Sequence, residues 1–291
     1  MNYRHAYHAG GFADVMKHAV VALIVEHLKT KPAPFFVLDS HAGIGRYDLE
    51  SEAAVKTGEA GQGIRRLVGA PIDAALAPYL DAVRAVNGGT LAPLRWYPGS
   101  PRLIRTLMRP VDRLAVAELH PVDAQLLAAE FDGDRQVEAH HVDGYDALKA
   151  FLPPRERRGL VLVDPPFEDE DEWQRLVAGL AAAHRRWPQG IHALWHPVKA
   201  RGDIDAFHDA LRASRIERIL AVELLVRKPV DSLVLNGSGL VVVNPPWTLK
   251  ATLEGLLPGL AGALAQGPGG GWRVEWLAPE RSGGDAQAAS S

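Results

Sequence analysis

Hydrophobic positions along the chain follow two periods in turn. From Phe12 to about Lys29 the apolar residues Val15, Met16, Ala19, Val20, Leu23 and Ile24 recur at helical spacing, and Pro32 and Pro34 close the segment. Phe35-Phe36-Val37-Leu38-Asp39-Ser40 is then an aromatic and aliphatic run of strand length. Further on the periods alternate regularly. Strand Leu114 to Glu118 precedes helix Pro121 to Phe131, and strand Gln136 to His141 precedes a short helix from Asp143-Gly144 to Phe151. A strand ending at Asp164 precedes a helix from about Glu170 to Arg186, and strand Ile191 to Trp195 precedes helix Ile204 to Ala213. Strands near Ile219 to Val226 and Gly239 to Val243 follow, then a helix from about Thr248. Repeated strand–helix units predict an α/β fold with a mostly parallel, Rossmann-like sheet covered on both faces, its last two strands forming an antiparallel edge hairpin.

One stretch breaks the alternation. After the first strand, residues from about Arg46 to Tyr97 read as a small helical insertion, with helices near Glu59 to Val68 and Ile72 to Val86 and a turn at Asn87-Gly88-Gly89. Pro98-Gly99-Ser100-Pro101 then starts a helix to about Arg109, with Ser100 at the N-cap and Pro101 at N1. This is the delayed first helix of the sheet, so its N-terminus is expected near Gly43 to Gly45. The expected organisation is one domain over residues 1–280, with an arm and helix at 1–31, the insertion at about 46–97 and a disordered Pro/Gly/Ser/Ala-rich tail at 281–291.

Composition narrows the chemistry. With no cysteine, thiolate metal sites and Cys nucleophiles are excluded, and the 12 histidines are too scattered to suggest a zinc site. A net charge of −3 gives no domain-wide basic footprint, so any nucleic-acid contact must be local, as at Arg155/Arg157/Arg158, Arg185/Arg186, Lys199/Arg201 or Arg227/Lys228, although each of these groups alone reads more readily as a solvated face. No apolar run approaches the ~20 residues that span a membrane, and the first residues lack signal-peptide architecture, so a cytoplasmic protein without a membrane partner is expected.

Candidate chemistry collects at strand ends, where open α/β sheets bind ligands. Val161-Leu162-Val163 is a buried strand that Pro165 and Pro166 must end, which leaves Asp164 at its carboxyl end with Phe167 close behind. There Asp164 and the Pro165 carbonyl would accept the hydrogens of a flat amine while Phe167 stacks on its plane. Read alone, the string is as readily a strand stop. Gly43 and Gly45 form a turn without the third glycine of a dinucleotide fingerprint and without a P-loop lysine. Glu118 is placed to accept two ribose hydroxyls, and Asp143 with the Gly144 N–H to read an adenine edge. These features describe a nucleoside cofactor without phosphates, and S-adenosyl-L-methionine fits, with S-adenosyl-L-homocysteine as product. Asn244-Pro245-Pro246-Trp247 repeats the short pattern on the last of these strands and is expected to be structural.

The chain resembles class I S-adenosylmethionine-dependent methyltransferases of the adenine-N6 type, with their [D/N]-P-P-[Y/F/W] signature, and more narrowly the RlmJ family. Resemblance covers nearly the whole chain. It is carried by Tyr3-Arg4-His5-x-x-His8-Ala9-Gly10, Ala13-Asp14-Val15-x-Lys17-His18, Asp39-x-His41-Ala42-Gly43-x-Gly45-Arg46-Tyr47, Tyr97-Pro98-Gly99-Ser100-Pro101, Glu118-Leu119-His120-Pro121, Asp143-Gly144 and Asp164-Pro165-Pro166-Phe167. The resemblance implies methylation of N6 of a specific adenine in 23S ribosomal RNA and a helical insertion. It also implies cofactor contacts at His18, His41, Ser100, Glu118, Asp143, Gly144 and Asp164, and an RNA-contacting tyrosine that here is Tyr3. Phe167 stands where the family often has tyrosine. By position in the arm, Arg4, His5 and Lys17 are expected to face RNA. Rival readings are a DNA adenine or protein glutamine methyltransferase, and a catalytically silent RNA-binding module. No DNA target-recognition domain is evident, and a monomer acting on RNA rather than DNA is the expectation.

Overall fold

The computed structural model describes residues 4–71, 73–230 and 232–280. Strand β1 (Phe36–Asp39) leads into a two-stranded ribbon, β2 (Arg46–Asp48) and β3 (Trp96–Pro98), that brackets the insertion. Strands β4 (Arg113–Glu118), β5 (Val137–His141), β6 (Gly159–Val163), β7 (Ile191–Val198), β8 (Ile219–Leu225), β9 (Gly237–Val243) and β10 (Gly271–Ala278) join β1 in one sheet of order β10-β8-β9-β7-β6-β1-β4-β5. From β5 to β7 all neighbours are parallel, whereas β9 runs antiparallel to both β7 and β8.

The expected hairpin of the last two strands is therefore present but not at the edge. β9 is inserted beside β7, and the edge belongs to β10, which pairs antiparallel with β8. That strand was not anticipated because Trp272 and Trp276 stay exposed while Leu277 is buried, so its alternation carries little contrast between faces.

Two cores flank the sheet because strand side chains alternate. Phe36 and Leu38 face one core, built with α8 (Gly144–Phe151), α9 (Glu172–Arg186) and α10 (Arg201–Ala213), while Val37 faces the other. On that second face lie α1 (Phe12–Lys29), α6 (Ser100–Leu107), α7 (Pro121–Glu130) and α11 (Leu249–Leu264). Helix α1 is apolar nearly all round and is buried on nearly all sides, sandwiched between the sheet, the insertion and α11.

The insertion contains α2 (Glu52–Thr57), α3 (Glu59–Gln62), α4 (Ile64–Val68) and α5 (Ala77–Val86). The single helix expected over Glu59 to Val68 is two, because the chain breaks at Gly63, where a Cβ would lie 2.1 Å from the Gly10 carbonyl oxygen. The Ile64 N–H donates to that same oxygen at 2.8 Å, which stitches the insertion to the arm. Ile72, the expected start of the next helix, lies outside the described residues, as does the 281–291 tail. Helix α6 begins one residue earlier than expected, with Gly99 rather than Ser100 as its cap. The Gly99 N–H donates to the Gly45 carbonyl at 2.8 Å, so this helix does start at the glycine turn, as expected.

Candidate active site

Asp164 leaves the carboxyl end of β6 beside a cation rather than open water. Lys17 Nζ, on α1, lies 2.5 Å from Asp164 Oδ2 and 2.9 Å from Asp14 Oδ1, and Lys17 is only 3% exposed. Burial alone would drive the ammonium toward neutrality, but the two carboxylates outweigh it and hold its pKa above the ordinary lysine value. Asp14 is buried in turn, and burial would raise its pKa. His5 and Lys17 overcome this and hold it well below the usual carboxylate range. Its Oδ2 also accepts from His5 Nε2 and the Gly10 N–H, each at 3.0 Å, so the arm, α1 and the β6 end form one charged chain.

Behind Asp164 the backbone turns sharply. Phe167 adopts a left-handed conformation, φ 52°, and its ring sits edge-on to Trp173 at 4.7 Å and Trp195 at 5.9 Å. Those two indoles fix the ring's orientation.

A cavity of about 930 Å³, including its open mouth, runs from Asp164 along the ends of β1 and β4. Glu118 lies across the glycine turn, its Oε2 accepting from the Gly43 N–H at 2.9 Å and its Oε1 from the His120 N–H at 2.8 Å. Each oxygen keeps a lone pair for a ligand hydroxyl. Gly43 has φ 60°, and a Cβ there would meet the Tyr47 hydroxyl, so only glycine lets the turn close over this wall.

Two histidines in the cavity are neutral. Burial lowers His18 to about 3 and His41 to about 4. His18 Nδ1 lies 2.9 Å from the Tyr97 hydroxyl, and its buried Nε2 meets no partner among the described residues. Ser40 Oγ donates its one proton to the Leu162 carbonyl, so it accepts from His41 Nδ1–H at 2.9 Å and leaves His41 Nε2 as the acceptor. Gly144 is pressed against this ring: a Cβ on it would sit 2.3 Å from the Ser40 carbonyl and 2.5 Å from the imidazole. Asp143 caps α8 by accepting the Tyr145 and Asp146 N–H groups on Oδ1, while Arg175 reaches its Oδ2 at 3.3 Å.

The cavity thus gathers His5, Lys17, His18, His41, Gly43, Ser100, Glu118, Asp143, Gly144 and Asp164 from seven separate stretches of the anticipated residues. Gly45 lies behind the wall against Glu130 and Phe131, and Pro165 and Phe167 lie beyond the lining. Tyr3 lies outside the described residues. The expectation that Lys17 faces RNA needs correction, because its ammonium is buried between two carboxylates. Arg4 is half-exposed and paired with Asp123 at 2.9 Å, so its charge is partly spent within the fold. Asn244 is at the opposite sheet edge, where its amide donates to the Pro188 and Gly190 carbonyls at 2.7 and 2.9 Å.

A family model described as ribosomal RNA large subunit methyltransferase D, RlmJ, matches residues 32–278. Proteins named ribosomal RNA large subunit methyltransferase J from Escherichia coli and Haemophilus influenzae are 43% and 42% identical, over 96% of this chain and 100% of their own length. The chain belongs to the RlmJ family. A crystal structure of a Legionella pneumophila protein shares this RlmJ-family fold, with a TM-score of 0.83 and 29% identity over 92% of this chain and 98% of that one.

Within this RlmJ-family site, sequence reasoning overlooked Asp14, Asp39 and Arg175. Asp14 precedes Lys17 by three residues, a spacing that places both on one helix face and could have revealed the pair. Asp39 is fully buried at the end of β1, and among the described residues neither oxygen meets a donor in full hydrogen-bond geometry. Burial raises its pKa to about 7 despite the nearby Ser100 hydroxyl. Arg175 on α9 covers the Tyr145 ring at 4.6 Å, and nothing in its local sequence pointed to the cavity.

Proposed function

We propose that this RlmJ-family chain methylates N6 of an adenine in large-subunit ribosomal RNA, with S-adenosylmethionine as donor. The observation that carries the reading is Asp164: a strand-end carboxylate with one oxygen held by a buried ammonium, lining the same cavity as Glu118 and Asp143.

The residues present fit that donor. Glu118, Asp123, Asp143, Asp164, Glu168, Asp169 and Glu172 outnumber Lys17 and Arg175 in the lining, which suits a ligand with a sulfonium and an ammonium rather than phosphates. Glu118 would hold the ribose hydroxyls. His41 Nε2, Asp143 and the Gly144 backbone would face the adenine, and His18 Nε2 offers an unused polar atom for the amino-acid end. Bound there, S-adenosylmethionine supplies a methyl carbon on positive sulfur, open to displacement by an amine.

The chain's own residues prepare that amine. An aniline-like N6 is a poor nucleophile because its lone pair is delocalised into the ring. Lys17 engages Asp164 Oδ2 and leaves Oδ1 to accept one N6–H, while the Pro165 carbonyl accepts the other, so the nitrogen is drawn toward a pyramidal shape. Because Asp164 shares its charge with Lys17, it acts first as an aimed acceptor and takes the N6 proton late. Phe167 offers a stacking face that offsets part of the cost of removing the base from its helix, about 1–3 kcal/mol.

Labelled-methyl transfer to unmodified 23S RNA, with DNA and total protein as competitors and Asp164→Ala as control, tests the reading. N6-methyladenosine in the RNA alone supports it. Label in DNA or protein, or transfer that survives Asp164→Ala, overturns it.

A further inference from the structure

An adenine taken from a helix leaves a gap in its stack and two phosphates out of register, and the active-site cavity addresses neither. Strand β9 is antiparallel to both β7 and β8, so β8 points the same way as β6 and the loop after it rises at the edge that carries Asp164. The far root of that loop touches the site. Ser238 Oγ accepts the Trp195 indole N–H at 2.9 Å, and the Trp195 ring lies 5.9 Å from Phe167 and 5.8 Å from Lys17 Nζ. Leu233 is five residues from Ser238, a separation that extended chain spans in at most roughly 17 Å.

The loop itself is unusual for a solvated turn. Leu233 is 90% and Val230 74% exposed, more than any other large apolar residue described apart from Trp247 at the opposite edge. Lys228 on the loop and Lys199 at the end of β7 are exposed, and no carboxylate among the described residues pairs with either. Asn236 ties the two segments together by donating to the Lys199 carbonyl at 2.8 Å. By contrast Arg4, Arg175 and Arg201 at the same edge are all ion-paired. In a chain of net charge −3, two lysines with no carboxylate partner among the described residues, beside an apolar tip, are a local match to a polyanion with a hydrophobic slot.

We propose that Leu233, Lys199 and Lys228 are the contact to the RNA helix that surrounds the target: Leu233 enters the stack vacated by the extruded adenine, and Lys199 and Lys228 take the flanking phosphates. Apolar side chains wedged between bases are an established way to hold a distorted helix open. The inference rests on the reaction proposed above, and its test separates the two. Methyl transfer is measured on the stem-loop that carries the mapped target adenine and on one strand of it that cannot pair. Leu233→Ala should lower kcat/KM on the stem-loop about tenfold, the effect of one lost stacking contact. On the unpaired strand, where no gap needs filling, it should change kcat/KM by less than about twofold. With 2-aminopurine at the target, the fluorescence rise on binding should shrink to match. Val111→Ala, an exposed apolar position at the other sheet edge, should change neither substrate. Lys199→Ala with Lys228→Ala should raise the RNA KM and reduce the salt slope by about 1.5. Equal loss on both RNAs for Leu233→Ala, no loss on either, or an unchanged salt slope for the lysine pair would overturn the proposal. Wild-type protein that methylates neither RNA would overturn the reaction as well.

Discussion

Asp164-Pro165-Pro166-Phe167 and Asn244-Pro245-Pro246-Trp247 each end a buried strand with two prolines and an aromatic ring, yet they stand at opposite edges of the sheet. The cause is strand sense: β6 is parallel to its neighbours, while β9 runs backward between β7 and β8. Left-handed backbone falls at the fourth residue of the first loop, Phe167, and at the first residue of the second, Asn244 with φ 53°. One loop thereby turns its ring back between two indoles, and the other turns its amide back onto carbonyls and leaves Trp247 85% exposed. Asp164 is backed by a buried ammonium; Asn244 is backed by strand-end carbonyls. A short motif acquires its chemistry from the direction of the strand beneath it.

Substitution should separate the two loops sharply. Asp164→Ala is expected to lower kcat for methyl transfer by about 10³-fold, the scale of a lost transition-state contact, whereas Asn244→Ala should leave kcat within about twofold. Comparable losses from both would break the contrast. Next in size, Asp14→Asn removes one of the two carboxylates around Lys17, and breaking such a buried pair costs about 3–5 kcal/mol. Thermal melting should show it, and Asp14→Glu should recover more of the stability than Asn. Phe167→Ala should reduce kcat/KM for RNA by about 5- to 150-fold, matching ~1–3 kcal/mol of stacking, while Trp247→Ala changes it little. Asn244→Ala should instead lower stability by about 1–3 kcal/mol, because two strand-end carbonyls lose their donor.

The last effect is one that both edges share. Burial lowers His18 and His196 to about 3 and His41 and His192 to about 4, so below the ordinary value of 6.5 the unfolded chain binds protons that the fold refuses. Stability therefore falls as pH drops from 6.5 toward 4. Asp39 works the other way. With a folded pKa of about 7 it favours folding as pH falls from 7 toward 3.8, but it is one group against four. Asp39→Asn should raise Tm at pH 8 and do so progressively less toward pH 4, which pH-dependent melting would show; a gain independent of pH would contradict the assignment.

Much of this molecule was legible because strand ends are marked twice, by hydrophobic period and by the residue that stops the run. Gly43, Glu118, Asp143 and Asp164 could be ordered along one edge from that logic alone. Lys17 was misread because a lysine in a helix is ordinarily solvated, and only tertiary packing shows that α1 has no solvated face near it. β10 and the ribbon of β2 and β3 escaped notice because one alternates weakly and the other has three residues per strand. The place of β9 could not be read either, since a hairpin's sequence does not say which of its strands a third will pair with.

The Ser238 hydroxyl reaches back across almost the whole chain to the Ala13 carbonyl at 3.4 Å and the Met16 sulfur at 3.8 Å. Helix α1 carries Lys17 and precedes every strand of the sheet, yet one flank of it packs against β9, one of the last of those strands in chain order. Its ammonium is thus synthesised before any of the strand ends of the site and is among the last parts to be seated. Fragments cut short before β9 would expose that flank, and the polypeptide stays catalytically silent through most of its own translation.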